Sequence, residues 1–289
     1  MKLGRRHEPP AAAEERLDAL LRAAHGDALD ALDAAPHPEA LLAGLDDDLW
    51  ALLLTRAYDG WPRLQAALPD VPDPEWQRIW NGQSGAALAE QSLGFYRLLR
   101  RVANARFGGF AGARVLDFGC GWGRLTRYLA RDVPPERLYG CDAVPGMAAL
   151  CREHRVAATF ADSDPRSERL PFDEPFDLAF AYSVFTHLSE PAHRRALAAL
   201  HAGLLPGGLL AVTVRPPDHL PGDEPYRFVP HPTEGHPQFA GGEMDYGETV
   251  VTLEYVRDHW APGFTLLETH LQTSDLQQVV LVLRREGRA

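Results

Sequence analysis

Three glycines at every second position, Gly119, Gly121 and Gly123, follow an apolar run in "VLDFGCGWGRLTRYLA", residues 115–130. Stripping side chains from such a turn lets backbone approach a ligand closely. A dinucleotide site has the spacing G-x-G-x-x-G, where the third glycine lets helix and strand pack closely, and a phosphate loop carries a lysine. Here the spacing is G-x-G-x-G, with Asp117 two residues before the first glycine. Neither phosphate-binding pattern is met. A second concentration of reactive types, His219, His231, His236, Glu243, Asp245 and Tyr246, lies in the Pro- and Gly-rich stretch 216–248. Its spacing matches no metal-ligand pattern, so no metal is expected. Cys120, Cys141 and Cys151 have no paired spacing and nothing nearby to lower their pKa, so they read as small fillers.

The surrounding elements fall into two halves. Residues 11–106 read as helices broken by Pro and Gly. "AAAEERLDALLRAAHG" ends on Gly26, "DDDLWALLLTRAYDG" opens with acids and ends on Gly60, and a Pro-punctuated stretch, 61–76, follows. "SGAALAEQSLGFYRLLRRVANARFGG" then reads as one long helix with Leu88, Phe95, Leu99 and Val102 on one stripe. From residue 113 the rhythm becomes strand, turn, helix. Strands are expected at "ARVLDF", "RLYGCD", "VAATFAD", "FDLAFAYS" and "LLAVTVR", the last after a "LLPGG" turn. Helices are expected at "GRLTRYLARD", "PGMAALCREH" and "SEPAHRRALAALHAGL", the last capped by Ser189. Residues 216–248 read as one long loop, a lid or binding loop. A helix "TLEYVRDHW", capped by Thr252, and a hairpin of "FTLLETHLQ" and "QQVVLVLRR" close the chain. The expected fold is α/β: a Rossmann-like, seven-stranded, mostly parallel sheet with an antiparallel C-terminal hairpin, helices on both faces and an N-terminal helical cap. Ligands of such sheets bind at the carboxyl ends of the strands. The expected division is a helical cap over 1–106 and an α/β domain over 107–289, with 216–248 inserted after the fifth strand as the lid.

"VLDFGCGWGR" resembles motif I of the class I S-adenosylmethionine-dependent methyltransferases, and the resemblance extends along the chain. "YGCDAVPGM", "TFADSD", "FDLAFAYSVFTHL" and "LHAGLLPGGLLAVTV" follow in the family's order, covering roughly residues 105–285, about 60% of the chain. The overall look is similar to bacterial small-molecule and natural-product methyltransferases. The resemblance implies S-adenosylmethionine as cofactor, held by Asp117, Gly119, Cys120, Gly121 and Gly123 of the loop. It places Asp142, with Ala143 beside it, on the ribose hydroxyls, Asp162 and Ser163 at the adenine, and Tyr182 and Ser183 along the cofactor. The methionine end is a zwitterion, which suits close glycine backbone and the N-terminus of the helix starting near Gly123.

Methyl transfer asks the protein to align the acceptor and exclude water. An oxygen or nitrogen acceptor also calls for a base tuned near neutral pH. His187 in "SVFTHL" lies where the family's active site opens and is the candidate base, with a structural or cofactor-side role as its alternative. Trp61, Trp76, Trp80, Phe95 and Tyr96 read as glue between the N-terminal helices and the sheet. The sharper alternative makes "WQRIWNGQSG" a flap pivoting on Gly82 and Gly85.

Lysine plus arginine number 29 and aspartate plus glutamate 40, a net charge of −11 that disfavours nucleic acid and, unless local arginines override it, an anionic acceptor. The cluster Arg97, Arg100, Arg101 and Arg106 reads as a solvated face. No apolar leader segment and no bilayer-spanning run is seen, and the sparse cysteines suit a reducing cytoplasm. The expected partner is a small-molecule acceptor, with no nucleic acid or membrane and with homo-oligomerisation left open. The rival readings are a non-catalytic cofactor-binding scaffold, an aminopropyltransferase on the same fold, and a nicotinamide-dependent oxidoreductase.

Overall fold

In a computed structural model, residues 23–36, 42–54, 61–230, 246–260, 263–271 and 278–287 are described. The apolar runs after residue 113 form strands β1 (Val115–Phe118), β2 (Leu138–Asp142), β3 (Thr159–Asp162), β4 (Phe176–Ala181) and β5 (Leu204–Val214). Their sequences are apolar almost throughout because both sheet faces are covered. Two further strands, β6 (Tyr226–Pro230) and β7 (Gly247–Val251), pair with each other, and β8 (Phe264–Leu271) and β9 (Val279–Arg285) complete the main sheet. Its order is β3-β2-β1-β4-β5-β9-β8. β1 to β5 pair in parallel, while β9 lies antiparallel to both β5 and β8. Chain order reverses between β1 and β4, which opens a crevice at their carboxyl ends.

Alternate strand residues feed two apolar layers. On one face Val115, Leu138, Phe180, Leu209 and Val282 meet the N-terminal helices α1 (residues 23–34), α2 (Asp47–Leu53), α3 (Pro62–Ala67) and α5 (Gly85–Phe107), while α4 (Pro74–Asn81) packs on Trp122 of the glycine loop. On the other, Leu116, Ala179, Leu210 and Leu281 meet α8 (Glu190–Gly203) and α9 (Leu253–His259), while α6 (Thr126–Leu129) and α7 (Met147–Glu153) flank the glycine loop and β2. The stripe Leu88, Phe95, Leu99 and Val102 is at most 1% exposed, so α5 is the beam that joins the first half to the sheet. Ser189 and Thr252 cap α8 and α9 as their sequences imply, and Gly108 ends α5 at φ 74°.

Several expectations are corrected. α1 continues through Gly26, and α2 stops at Leu53, well before Gly60. "GRLTRYLARD" yields only the four helical residues of α6. Arg127 is buried there, donating to the carbonyls of Trp122 and Gly123 and to Asp70 O while its guanidinium covers the Trp122 ring at 4.4 Å. The "LLPGG" turn falls within β5, and part of the expected loop 216–248 is folded into β6 and the start of β7. The arginines of α5 do lie on a solvated face, their side chains 37–55% exposed, and are paired there: Arg97 and Arg100 with Asp47, Arg101 and Arg106 with Glu268. Arg131, its side chain 3% exposed, joins them on Asp47 at 2.7 Å. Burial pushes the Asp47 carboxyl up, but hydrogen bonds from Arg100, Arg131 and Arg97 outweigh it and hold it at about 2. Among the described residues no helix is long and apolar enough to cross a membrane.

Candidate active site

The glycine loop leaves β1 on the crevice and folds over the end of β2. The amides of Gly119 and Cys120 both donate to Cys141 O, at 2.8 and 3.0 Å. Gly119, Gly121 and Gly123 have φ of 76°, 52° and 75°, a region that favours glycine. Their reasons differ. A Cβ on Gly119 would stand 2.3 Å from Val184 Cγ2, and one on Gly123 would meet Cys151 Sγ at 3.2 Å. A Cβ on Gly121 would meet nothing within 4 Å. That position faces open space, as close approach of a ligand requires.

The open space is a cavity of about 960 Å³ along the carboxyl ends of the strands. Asp117 lines it from β1, Gly119, Cys120 and Gly121 from the loop, Asp142 and Ala143 from the end of β2, Ser163 from just past β3, and Tyr182, Ser183 and His187 from beyond β4. Gly123 and Asp162 do not line it: Gly123 packs beneath the loop, and Asp162 is exposed at the end of β3. Its neighbour Ser163 donates its amide to Asp142 O at 2.8 Å and takes the place on the wall.

Asp142 is buried, and its two oxygens accept from the amides of Gly121 at 2.7 Å and Val144 at 2.8 Å. Burial pushes its carboxyl above the ordinary carboxylate range, against those amides. Asp117, 2% exposed, accepts from Thr126 Oγ1 at 2.6 Å, and burial raises it to about 7. Cys120, Cys141 and Cys151 are free and buried. A hydrogen bond with Cys151 and burial push the Cys120 thiol up, and burial pushes up that of Cys141, so neither is an activated nucleophile, while Cys151 donates to Gly121 O at 3.2 Å.

The helix N-terminus expected near Gly123 is absent, since α6 begins at Thr126. Arg124 stands there instead. It lines the cavity, lies over the Tyr182 ring at 4.9 Å, and is held by Gln91 Oε1 at 3.1 Å and Ser92 Oγ at 2.8 Å. Ser183 is a non-glycine at φ 56°, its amide bonded to Thr213 Oγ1 at 2.7 Å and its hydroxyl to Gln278 Nε2 at 2.6 Å. Two independent bonds hold that strained residue at the end of β4. From the first half, Trp80 and Asn81 reach the wall, Asn81 accepting from Trp122 Nε1 at 2.9 Å and Trp80 stacking on Trp76 at 5.0 Å. Gly82 and Gly85 flank them at φ 71° and 58°.

His187 closes the far side. Its ring stacks on Tyr246 at 4.8 Å, and Nδ1 lies 2.8 Å from Gly247 O. A carbonyl only accepts, so Nδ1 carries the hydrogen and a neutral ring has its lone pair on Nε2. His219 ends a short 3₁₀ turn, Pro217–His219, near this group, whereas His231, His236, Glu243 and Asp245 lie outside the described residues. Among the described residues no group of three or more His, Cys, Asp or Glu converges to hold a metal ion. Arg166, Arg169 and Arg195 also reach the cavity, from the segment after β3 and from α8. No motif marks them. Only the packing of that segment on α8, through contacts such as Arg195 Nε to Pro165 O at 3.3 Å, brings them together.

Comparison with known proteins follows the same segment. Residues 115–208 match a family model described as a methyltransferase domain. A trans-aconitate 2-methyltransferase of Methylobacterium nodulans is 38% identical over 143 residues, 50% of this chain and 50% of that protein. Another, of Variovorax paradoxus, is 37% identical over 100 residues, 35% of this chain and 38% of that one. The chain thus spans half or less of the length of these curated relatives. The 1,6-didemethyltoxoflavin-N1-methyltransferase of Burkholderia thailandensis, with 1,6-didemethyltoxoflavin and S-adenosylhomocysteine bound, has a TM-score of 0.50 at 21% identity, covering 74% of this chain and 83% of that one. That likeness is one of fold.

Proposed function

We propose that this chain, which carries a class I methyltransferase domain, transfers a methyl group from S-adenosylmethionine to a small-molecule acceptor. The observation that carries the reading is one cavity of about 960 Å³ with the open Gly121 position and the Asp142 carboxylate on one side and His187 on the other. Pockets for small ligands reach this size, and it leaves room for an acceptor beside the cofactor.

The residues present fit the cofactor. Gly119 to Gly121 offer bare backbone, and Asp142, already oriented by two amides, is assigned to the ribose hydroxyls. Arg124 takes the role given to the helix N-terminus, facing the carboxylate of the methionine end. Ala143 and Ser163 are assigned to the adenine side, and Tyr182 and Ser183 to the cofactor's flank. Asp162, away from the wall, has no part in this assignment. Bound there, S-adenosylmethionine supplies a methyl group on a positively charged sulfur. The chain's own work is to align the acceptor, exclude water and receive its proton. His187 is the proposed base for an oxygen or nitrogen acceptor, accepting at Nε2. Residues 1–106 act as the cap and 216–248 as the lid in this reading, and the setting is cytoplasmic, in keeping with three buried, unpaired cysteines.

The relatives are named for trans-aconitate. An anionic acceptor also suits this cavity better than the net charge implies, because Arg166, Arg169 and Arg195 line it. The test is incubation with S-adenosylmethionine and an acceptor panel that includes trans-aconitate, followed by mass detection of a product 14 Da heavier, the mass of a CH₂. Methylation of any small molecule supports the reading. Tight cofactor binding with no product across the panel favours the non-catalytic scaffold.

A further inference from the structure

We propose that Glu248 is a positioning residue acting through His187: Gly247 O orients the ring, and the Glu248 carboxylate beside it favours the charged form as Nε2 takes the acceptor's proton; this rests on the methyl-transfer reading. Glu248 belongs to no motif and is visible only once β7 is in place. Two backbone bonds fix β7 beside the segment after β4: Gly247 N donates to His187 O at 2.8 Å, and Thr249 N to Thr186 O at 2.9 Å. The same register brings Gly247 O to His187 Nδ1 at 2.8 Å and Glu248 Oε1 to within 3.6 Å of that nitrogen. Gly247 admits no side chain, since a Cβ would stand 2.1 Å from Val229 O.

The two carboxylate oxygens face different partners. Oε1 faces the His187 ring, while Oε2 faces Arg215 Nη2 at 2.8 Å and His219 Nε2 at 3.4 Å. Arg215 is set by the end of β5, where it bridges to Val250 of β7. The side chains of His187, Glu248 and Arg215 are only 16%, 23% and 11% exposed, so their charges are less screened than on an open surface. Tyr246, stacked on the imidazole, has its hydroxyl held at about 12, chiefly by burial, and is neutral at working pH.

When an acceptor O–H or N–H reacts, its proton passes to Nε2 and the bonding pair stays on the acceptor atom, which becomes the nucleophile. The ring is then an imidazolium with N–H groups at both nitrogens, and it later returns the proton to water. Glu248 favours that charge. Arg215 and His219, when protonated, oppose it, so a neutral side chain at 248 leaves His187 facing net positive charge.

The test needs no acceptor. His187 ring nitrogen shifts are followed by NMR against pH in the full chain, the signal being assigned by its loss in His187→Gln. The expected result is the Nδ1–H tautomer, with a titration midpoint that falls by about one pH unit in Glu248→Gln, a tenfold change in the protonation equilibrium. Glu248→Asp, which keeps the charge on a shorter arm, restores at least half of that fall and serves if the glutamine variant folds poorly. A midpoint within about 0.2 of wild type in Glu248→Gln, a Glu248→Asp midpoint no higher than that of Glu248→Gln, or a neutral ring protonated at Nε2, overturns the assignment. S-adenosylhomocysteine titrated into the same samples separates the two layers. An unmoved midpoint with binding intact removes Glu248 alone, whereas no binding in the wild type removes the reading beneath it.

Discussion

Alanine at Gly121 and alanine at Gly119 replace the same residue type two positions apart, yet they should fail differently. At Gly121, φ is 52° and a new Cβ meets nothing within 4 Å. The fold therefore loses only the cost of holding an L-residue in the left-handed region, about 1–2 kcal/mol. The added methyl projects where the ligand is assigned, so affinity for S-adenosylhomocysteine should fall tenfold or more. At Gly119 the same backbone cost applies at φ 76°, and the Cβ lands 2.3 Å from Val184 Cγ2. Overpacking of that kind costs about 1–3 kcal/mol, so the total should reach about 2–5 kcal/mol. The clash involves one side chain, so Val184→Ala in the Gly119→Ala background should return the packing part and leave the backbone part. Urea denaturation of the four members of that cycle measures the coupling, expected at about 1–3 kcal/mol. Calorimetric titration supplies the affinities. The reasoning fails if Gly121→Ala binds S-adenosylhomocysteine as tightly as wild type, or if the Gly119 and Val184 changes are additive.

Further outcomes follow from single groups. His187→Ala should lower turnover with an oxygen or nitrogen acceptor by about 10²–10⁴-fold and leave cofactor affinity unchanged; a loss under about tenfold with the same pH profile removes it as the base. Asp47→Ala takes from buried Arg131 the nearer of its two carboxylates, leaving Asp132 at 3.4 Å, and strips Arg97 and Arg100 of the same partner; it should cost about 2–4 kcal/mol in denaturation without affecting cofactor binding. Asp117 is raised from 3.8 to about 7 by burial, so the native chain keeps a proton that the unfolded chain loses, and stability falls as pH rises through that window. Asp117→Asn cannot lose that proton, so urea melts should show it gaining on wild type between pH 4 and pH 8, by at most about 4 kcal/mol.

The strands and the glycine loop were legible because each is a local pattern: an apolar run short enough for a strand, then glycines that no other periodicity explains. The succession of β1 to β5 along the chain followed from alternation of strand and helix, and the closing hairpin from the few residues that separate its two strands. What local pattern could not show was competition from distant partners. Gly26 does not end α1, because a helix tolerates an isolated glycine at a cost of about 1 kcal/mol when packing supports it. Helix formation after Gly123 is cut short at a turn whose carbonyls buried Arg127 takes, an arrangement set by Asp70 in the link between α3 and α4 as much as by local sequence. The strands hidden in 216–248 depend on pairing of Tyr226 with Val251, 25 positions apart. Of the residues that line the cavity, Gly121, Asp142 and His187 could be picked out as candidates from type and position, while Arg124, like Glu248 beside His187, stands out only from what folds against it. Asp162 shows the converse: its place at a strand end was right, but its side chain lies off the wall and Ser163 lies on it.

The central claim is that the crevice between β1 and β4 holds S-adenosylmethionine through Asp142. Calorimetric titration of wild type and Asp142→Ala with S-adenosylmethionine, S-adenosylhomocysteine and NAD in parallel tests it most directly. The account predicts that wild type binds the first two and not NAD, and that Asp142→Ala loses both by 100-fold or more, about 2.7 kcal/mol. Binding of NAD alone, or unchanged affinity in Asp142→Ala, would contradict it.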